Sequence, residues 1–193
     1  MKRRLAIIAV LSLLSACVTE YDTFVPPPLD FSEQSTVSLS VASMAVDSIY
    51  RPKGAPYVDH AMAPTPEAAA RLLLEQRFEA IGGNDRLEAV IVDASVEEQK
   101  LETTTGLAGL FAAEPSARLV GRIEVRIQRF DDRGVARGLV STAATRTRDI
   151  PKTAGFAERQ RIEYELVRDL ADDLGAGLIN NLNGSFGDLV ASS

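Results

Sequence analysis

Hydrophobic and polar positions change their spacing several times along the chain, and each spacing predicts an element. Val37, Leu39 and Val41 alternate with polar residues, which predicts a half-buried strand. The alternation slips by one position before Met44, which indicates a β-bulge. Four prolines between residues 50 and 66 then favour an irregular loop over a regular element.

The first helix is predicted to begin after Thr65. A hydroxyl cap, Pro66 at the first position and an early acid follow one another there. Gly82 and Gly83 are expected to end the helix. Its apolar stripe consists of Ala70, Leu74, Phe78 and Ile81.

Three strands are predicted to follow as an antiparallel meander. They cover residues 89–101, 118–130 and 135–150, with a hairpin turn at 131–134 and Pro151 as the stop. The first strand is expected to place Val90, Val92, Ala94 and Val96 on one face. In the second strand, Leu119, Ile123, Val125 and Ile127 face one way, and Arg118, Arg122, Glu124, Arg126 and Gln128 face the other.

A long helix from about residue 157 completes the pattern. Its apolar residues repeat at a spacing of four, at Ile162, Leu166, Leu170, Leu174, Leu178 and Leu182. The order β-α-β-β-β-α predicts one α+β domain, with a mostly antiparallel four-stranded sheet and two helices on one face. The strand–helix–strand unit is expected to be parallel. Gly175 and Gly177 either weaken this helix or allow it to pack closely on the sheet.

The N-terminus carries the pattern of an export signal over residues 1–16. A basic start precedes about ten apolar residues, a stretch too short to span a bilayer. Leu14, Ser15, Ala16 and Cys17 resemble the lipobox of bacterial lipoproteins, and Cys17 is the only cysteine. The resemblance implies cleavage before Cys17, a diacylglycerol thioether on its sulfur and acylation of the new amine. The alternative is an ordinary signal with a coincidental cysteine.

Residues 17–35 are predicted to be a lipid-bearing cysteine followed by a Pro-rich tether, and residues 36–193 a single periplasm-facing domain. Eighteen extended residues reach about 55 Å. Phe24, Leu29 and Phe31 are exceptions, since apolar side chains favour docking on the domain or on a partner. The residue after Cys17 is Val18 and not Asp, and the resemblance to enteric lipoproteins then favours the outer membrane over the inner membrane.

Composition narrows the function. The 193 residues are 46% hydrophobic and 25% charged, which excludes wholesale disorder. Removal of the signal takes away Lys2, Arg3 and Arg4 from the 21 basic residues and leaves all 27 acidic ones, which argues against general nucleic-acid binding. A single His and a single Cys exclude a disulfide framework and a Cys/His zinc site. We expect no cofactor and no catalytic residue.

Two segments are candidate contact surfaces for a partner or a lipid surface. Residues 103–115 form an apolar, Gly-rich connection with Leu107, Leu110 and Phe111, which either inserts into another surface or folds back over the sheet. Residues 118–148 carry eight arginines against three acids. Arg118, Arg122 and Arg126, with Arg137, Arg146 and Arg148 from the next strand, are either an anion site or a solvated face partly neutralised by Glu97, Glu98 and Glu102.

The mature chain resembles uncharacterised lipoproteins of proteobacteria along residues 66–81, 93–96 and 105–107 and from Arg159 onward. More distantly it is similar to ABC-type transport auxiliary lipoproteins, through the alternating first strand and the loop of residues 50–57. A lipopolysaccharide-assembly lipoprotein shares this general shape. These resemblances imply a non-catalytic accessory subunit that contacts an envelope transporter or assembly protein. A lipid bound between sheet and helices, or a hydrolase that uses Asp59 and His60, are the alternatives.

Overall fold

The computed structural model describes residues 22–102 and 114–191. The strands are β1 (Val37–Leu39), β2 (Ser43–Ser48), β3 (Phe78–Ala80), β4 (Arg86–Lys100), β5 (Pro115–Phe130) and β6 (Ala136–Pro151). The helices are α1 (Pro66–Arg77), α2 (Phe156–Ser185) and a short 3-10 helix at Asp59–Ala61. Two helices and a mostly antiparallel four-stranded sheet confirm the predicted α+β class. The predicted signal, lipobox and apolar connection at 103–113 lie outside the described residues.

The main sheet has the order β2-β4-β5-β6, with β2 parallel to β4 and the other neighbours antiparallel. The strand–helix–strand unit β2-α1-β4 is therefore parallel, as predicted. The predicted turn joins β5 to β6. There Asp131 accepts hydrogen bonds from the backbone N–H groups of Arg133 and Val135 at 3.0 and 2.8 Å, and Gly134 takes a positive φ of 78°.

The core lies between the sheet and the two helices. The predicted alternation of β5 is confirmed, because Leu119, Ile123, Val125 and Ile127 are fully buried. The predicted stripe of α2 is buried along its whole length, from Ile162 to Leu182. The layers meet closely at Gly121 of β5, where an added Cβ would lie 2.5 Å from Cδ1 of Leu170. Gly177 of α2 approaches β6 in the same way, with Thr142 Cγ2 at 2.8 Å from the position of a Cβ.

The first strand was predicted as one bulged element, and this prediction is wrong. The chain forms two strands in different sheets, because β1 pairs in parallel with β3 while β2 joins the main sheet. Val41 lies between the two strands and is fully buried. The crossing leaves no room at Gly83, where a Cβ would lie 2.4 Å from the carbonyl oxygen of Ser40.

The first helix ends earlier than predicted, at Arg77. Its Thr65 cap, which accepts from the N–H of Ala68, is as expected. Beyond Arg77 the chain extends into β3, so Phe78 remains buried but Ile81 is 53% exposed and does not belong to an apolar stripe. Pairing with β1 overrides the helical periodicity of the sequence at this point.

The predicted apolar face of β4 is correct for two of its four residues and wrong for the other two. A bulge between Ile91 and Asp93 shifts the alternation by one residue. Before the bulge the buried residues are Leu87, Ala89 and Ile91, so the predicted face is wrong for Val90 and Val92. After it, Ala94 and Val96 are buried as predicted.

The N-terminal segment packs on the domain from Phe24 onward. Phe31 is 2% exposed, and its N–H donates to Oε1 of Gln76 at 2.7 Å. The Gln34 amide donates to Asp172 of α2 at 2.8 Å. The Arg77 guanidinium, itself largely buried, donates to the carbonyl oxygen of Ser35. Phe24, Leu29 and Phe31, the apolar residues of the predicted tether, thus dock on the domain.

The long strands and α2 run between two ends of the domain. We call one of them the α2-start end. There β4 ends, β5 begins, and the segment after β6 leads into α2. The N–H of Leu101 donates to Ser116, and the N–H of Lys152 donates to Glu114. The turn end carries the β5–β6 turn and the C-terminus of α2, where Arg129 bridges Asp85 and Asp188.

Candidate functional site

Arg118, Arg122 and Arg126 lie, as predicted, on the face of β5 that the helices do not cover. Each of these side chains is partly exposed, between 44 and 52%. Their positions follow from strand alternation, since every second side chain of β5 points away from α2. The arrangement of their neighbours decides whether this face is free to bind anions.

Arg118 pairs with Asp149, which lies directly opposite on β6. The contact is bidentate, with Nε at 2.6 Å from Oδ1 and Nη2 at 3.0 Å from Oδ2. Hydrogen bonding to Arg118 lowers the pKa of the Asp149 carboxyl below its usual range. The Asp149 carboxylate therefore stays ionised and compensates the arginine at every pH above about 4.

Glu124 lies between the other two arginines on the same strand face. Its carboxylate accepts from Nη2 of Arg122 at 2.8 Å and from Nη2 of Arg126 at 3.1 Å, and the Ser141 hydroxyl donates to it at 3.2 Å. These donors, Arg122 first, hold the pKa of Glu124 below its ordinary value. Asp93 adds a second carboxylate 3.5 Å from Arg122. Three arginines thus face three carboxylates, and the local excess of positive charge in the sequence is not an excess on this face.

The expected extension of this face by arginines of β6 is wrong for two residues. Arg146 and Arg148 lie on the opposite side of β6 and pair with Asp173 and Asp169 of α2. Arg137 bonds Asp131 at the β5–β6 turn, with Nε at 2.7 Å from Oδ2. Because side chains alternate along a strand, residues 137 and 146 cannot share a face.

The acids that neutralise the arginine face also differ from those expected. Glu98 was predicted to serve it, but its carboxylate bonds Arg159 of α2, with Oε2 at 2.5 Å from Nη2. That hydrogen bond lowers the pKa of Glu98. The neutralising residues are Asp93, Glu124 and Asp149. A sequence signal for two of them exists, since Glu124 and Asp149 fall within the same two strands as the arginines.

Asp59 does not orient His60. The Asp59 carboxylate is 2% exposed and accepts from the Tyr50 hydroxyl at 2.9 Å, while His60 is exposed. Burial, reinforced by Asp59, raises the pKa of the Tyr50 hydroxyl far above its usual value. The pair fixes the Pro-rich loop against β4, where the N–H of Val58 donates to Val96. Sequence reasoning missed this buried pair, whose only signal was two polar residues among prolines.

The described residues hold no arrangement suited to a metal ion. In residues 22–102 and 114–191, no group of three or more His, Cys, Asp or Glu side chains converges. In the same part of the chain, no helix is both long and apolar enough to cross a bilayer. The Leu107, Leu110 and Phe111 contact and the Cys17 lipidation site lie outside these residues and stay predictions.

No protein-family model matches the chain, and no curated protein matches it. Among solved structures it is similar to rare lipoprotein B from Shewanella oneidensis, at 13% identity and a TM-score of 0.38, over 72% of this chain and 94% of that one. It is also similar to a minor lipoprotein from Acinetobacter baumannii, at 14% identity and a TM-score of 0.39, over 80% of this chain and 98% of that one. A third similar structure is lipoprotein GNA1162 from Neisseria meningitidis, at 10% identity and a TM-score of 0.27, over 77% of this chain and 99% of that one. The similar structures are bacterial lipoproteins by name, but values this low assign neither family nor function.

Proposed function

We propose that the chain is a lipoprotein of the bacterial envelope, held by lipid on Cys17, with its domain facing the periplasm. The observation that carries this proposal is the sequence Leu14-Ser15-Ala16-Cys17 behind a short apolar stretch, with the only cysteine at its end. Val18 in the next position favours the outer membrane. Two or three acyl chains suffice for stable anchoring, since each buried methylene contributes about 0.8 kcal/mol.

The domain acts as a non-catalytic accessory subunit of an envelope transport or assembly complex. Support comes from the polar side chains of the described residues, which pair with one another. The Asp59 carboxylate accepts a hydrogen bond from Tyr50, and the arginines of β5 form ion pairs with neighbouring acids. The apolar connection with Leu107, Leu110 and Phe111 is the first contact surface. The face of Arg118, Arg122 and Arg126 is the second, and as a set of paired charges it suits a polar protein surface better than a free anion.

A lipid held between sheet and helices is the weaker alternative. The layers touch at Gly121, where an added Cβ would lie 2.5 Å from Cδ1 of Leu170 and 3.5 Å from both methyl carbons of Leu166. Both leucines are fully buried. An acyl chain would have to displace these packed side chains, which costs free energy in a densely packed interior.

The test is crosslinking in cells, followed by purification of the lipidated protein and mass spectrometry of what is attached. A Cys17→Ala variant, exported but not acylated, is the first control. Leu110→Asp with Phe111→Asp and, separately, Arg122→Ala with Arg126→Ala examine the two surfaces. Enrichment of one transporter or assembly protein, lost in at least one surface variant, is expected. A discrete partner absent from every sample would contradict the accessory role.

A further inference from the structure

We propose that the α2-start end of the domain lies on the surface of a phospholipid bilayer, with Phe156 and Val25 in the lipid–water interface. The inference rests on the proposed anchoring through Cys17. It adds the orientation of the domain and the residues that touch lipid, neither of which follows from the lipobox.

The place where the N-terminal segment leaves the domain is fixed. The Phe24 ring packs edge-on against Tyr164, with centroids 6.0 Å apart, and the Arg161 guanidinium lies 5.3 Å from the centre of the same ring. Arg161 and Tyr164 belong to the second and third turns of α2, which begins at Phe156. The chain toward Cys17 therefore departs from the α2-start end.

The length of this chain limits the orientation. Phe24 lies seven positions after Cys17, so the chain between their Cα atoms spans at most about 25 Å when fully extended. The remainder of α2, from Tyr164 to Ser185, is about 32 Å long at 1.5 Å per residue. Starting at Phe24, a chain of about 25 Å cannot cover the roughly 32 Å along α2 to the turn end. The turn end therefore cannot rest on the bilayer that holds Cys17 while Phe24 stays docked.

The two most exposed large apolar side chains of the described residues belong to the segments that meet near this end. Among the described residues, Val25 at 81% and Phe156 at 77% are the most exposed large apolar side chains. Val25 follows the docked Phe24, and Phe156 is the first residue of α2, eight residues before Tyr164. An apolar side chain exposed next to a lipid anchor is suited to the boundary between headgroups and acyl chains.

The charges at this end do not oppose contact with lipid. Arg161 pairs with Glu158 at 2.5 Å, and Arg159 bonds both Glu98 and Glu163. These two arginines and three glutamates leave one net negative charge. A zwitterionic phospholipid surface therefore suits this end better than a strongly anionic one.

The experiment uses the full lipidated chain with one added thiol, since acylation of Cys17 leaves no other. Phe156→Cys and Val25→Cys place a bimane label at the α2-start end. Val135→Cys and Leu139→Cys, also exposed apolar positions, place it at the turn end as matched controls. Each protein is reconstituted into vesicles of phosphatidylethanolamine and phosphatidylglycerol, with and without bromine on the acyl chains.

Quenching by brominated lipid is expected to be several-fold stronger at residues 25 and 156 than at residues 135 and 139. Equal quenching at both ends, or stronger quenching at the turn end, would overturn the orientation. Val25 lies outside all helices and strands, so Val25→Cys still decides if Phe156→Cys fails to fold. The mass of the N-terminal peptide separates the two proposals. Acylated Cys17 without excess quenching overturns the orientation alone, and unacylated Cys17 overturns both.

Discussion

The Phe24 ring packs edge-on against the Tyr164 ring, with their centroids 6.0 Å apart. This contact ties the N-terminal segment to α2 seven residues after the proposed lipid site. The free part of the tether is then about 25 Å or less, and not the 55 Å expected for eighteen extended residues. The domain is held near its membrane, and its reach changes only if Phe24 is released.

Phe31→Ala is expected to destabilise the domain by about 3 to 5 kcal/mol, because a fully buried ring is replaced by a cavity. Phe31 is 2% exposed and packs with the core. Val25→Ala is the matched control within the same segment, and its effect is expected to stay within about 0.5 kcal/mol. Urea unfolding of both variants measures the difference. Equal midpoints would mean that the segment does not belong to the folded unit.

Phe24→Ala is expected to release the start of the segment while the domain stays folded. The lost aromatic contact contributes about 0.5 to 1.5 kcal/mol, too little to unfold the whole chain. Limited proteolysis should cut between residues 22 and 30 faster in this variant. Phe24→Tyr keeps the ring and should retain the protection of the original protein. Unchanged cleavage in Phe24→Ala would show that the ring does not hold the segment.

Gly121→Ala is expected to cost about 1 to 3 kcal/mol through overpacking. Its Cβ would lie 2.5 Å from Cδ1 of Leu170, a fully buried side chain with no free space to enter. Gly184→Ala in α2 meets no atom within 4 Å and should stabilise by up to about 1 kcal/mol, since Ala favours helix over Gly. Thermal unfolding compares the two. A stable Gly121→Ala protein would reveal spare volume between sheet and helix, as a lipid site requires.

Glu124→Gln with Asp149→Asn is expected to turn the paired arginine face into an anion-binding one. The substitutions remove two of the three carboxylates on this face and leave only Asp93, 3.5 Å from Arg122. The domain without its signal and acyl chains, made from residue 18 onward, should then sediment with phosphatidylglycerol vesicles at low salt, whereas the same domain with both acids intact should not. Glu75→Gln with Glu79→Gln removes the same charge from exposed positions of α1 and β3, away from the arginine face. Equal binding by both double variants would contradict a specific role for the pairing.

The pH dependence of this binding follows from the same contacts. The pKa values of Glu124 and Asp149 are lowered by their arginines, so both carboxylates stay ionised in the folded protein below the usual carboxyl range. Their stabilising contribution is complete above the unfolded pKa of about 4 and is lost only as the pH falls through the lowered folded values. Vesicle binding by the protein with both acids should therefore not increase between pH 7 and pH 5. An increase over that range would mean that the carboxylates protonate earlier than their contacts imply.

Elements with long, uniform periods could be predicted from the sequence. The leucine stripe of α2 and the alternation of β5 involve many residues each, and tertiary contacts reinforce the same pattern. The turn at Asp131 to Gly134 has its own local chemistry, since the Asp131 side chain bonds the turn backbone. These features depend on nearby residues, which a single sequence displays.

The failures depend on contacts between distant residues. Ile81 continues the stripe of α1 in the sequence, but β3 pairs with β1 and draws the chain out of the helix at Arg77. Val90 and Val92 change faces because of a bulge that only the pairing with β5 defines. The prediction for Arg146 is wrong, although it lies an odd number of positions after Arg137, which already places the two on opposite faces of a strand. The pairing of Arg146 with Asp173 of α2, by contrast, cannot be read from the sequence.

The most direct test of the account is mass spectrometry of the N-terminal peptide from protein extracted from bacterial membranes. The account predicts a chain that begins at Cys17, with a diacylglyceryl group on its sulfur and an acyl group on its amine. The Cys17→Ala variant should yield neither modification and should keep residues 1–16, because the lipobox that directs cleavage is lost. A chain that begins elsewhere, or a free thiol at Cys17 in membrane-bound protein, would contradict the account.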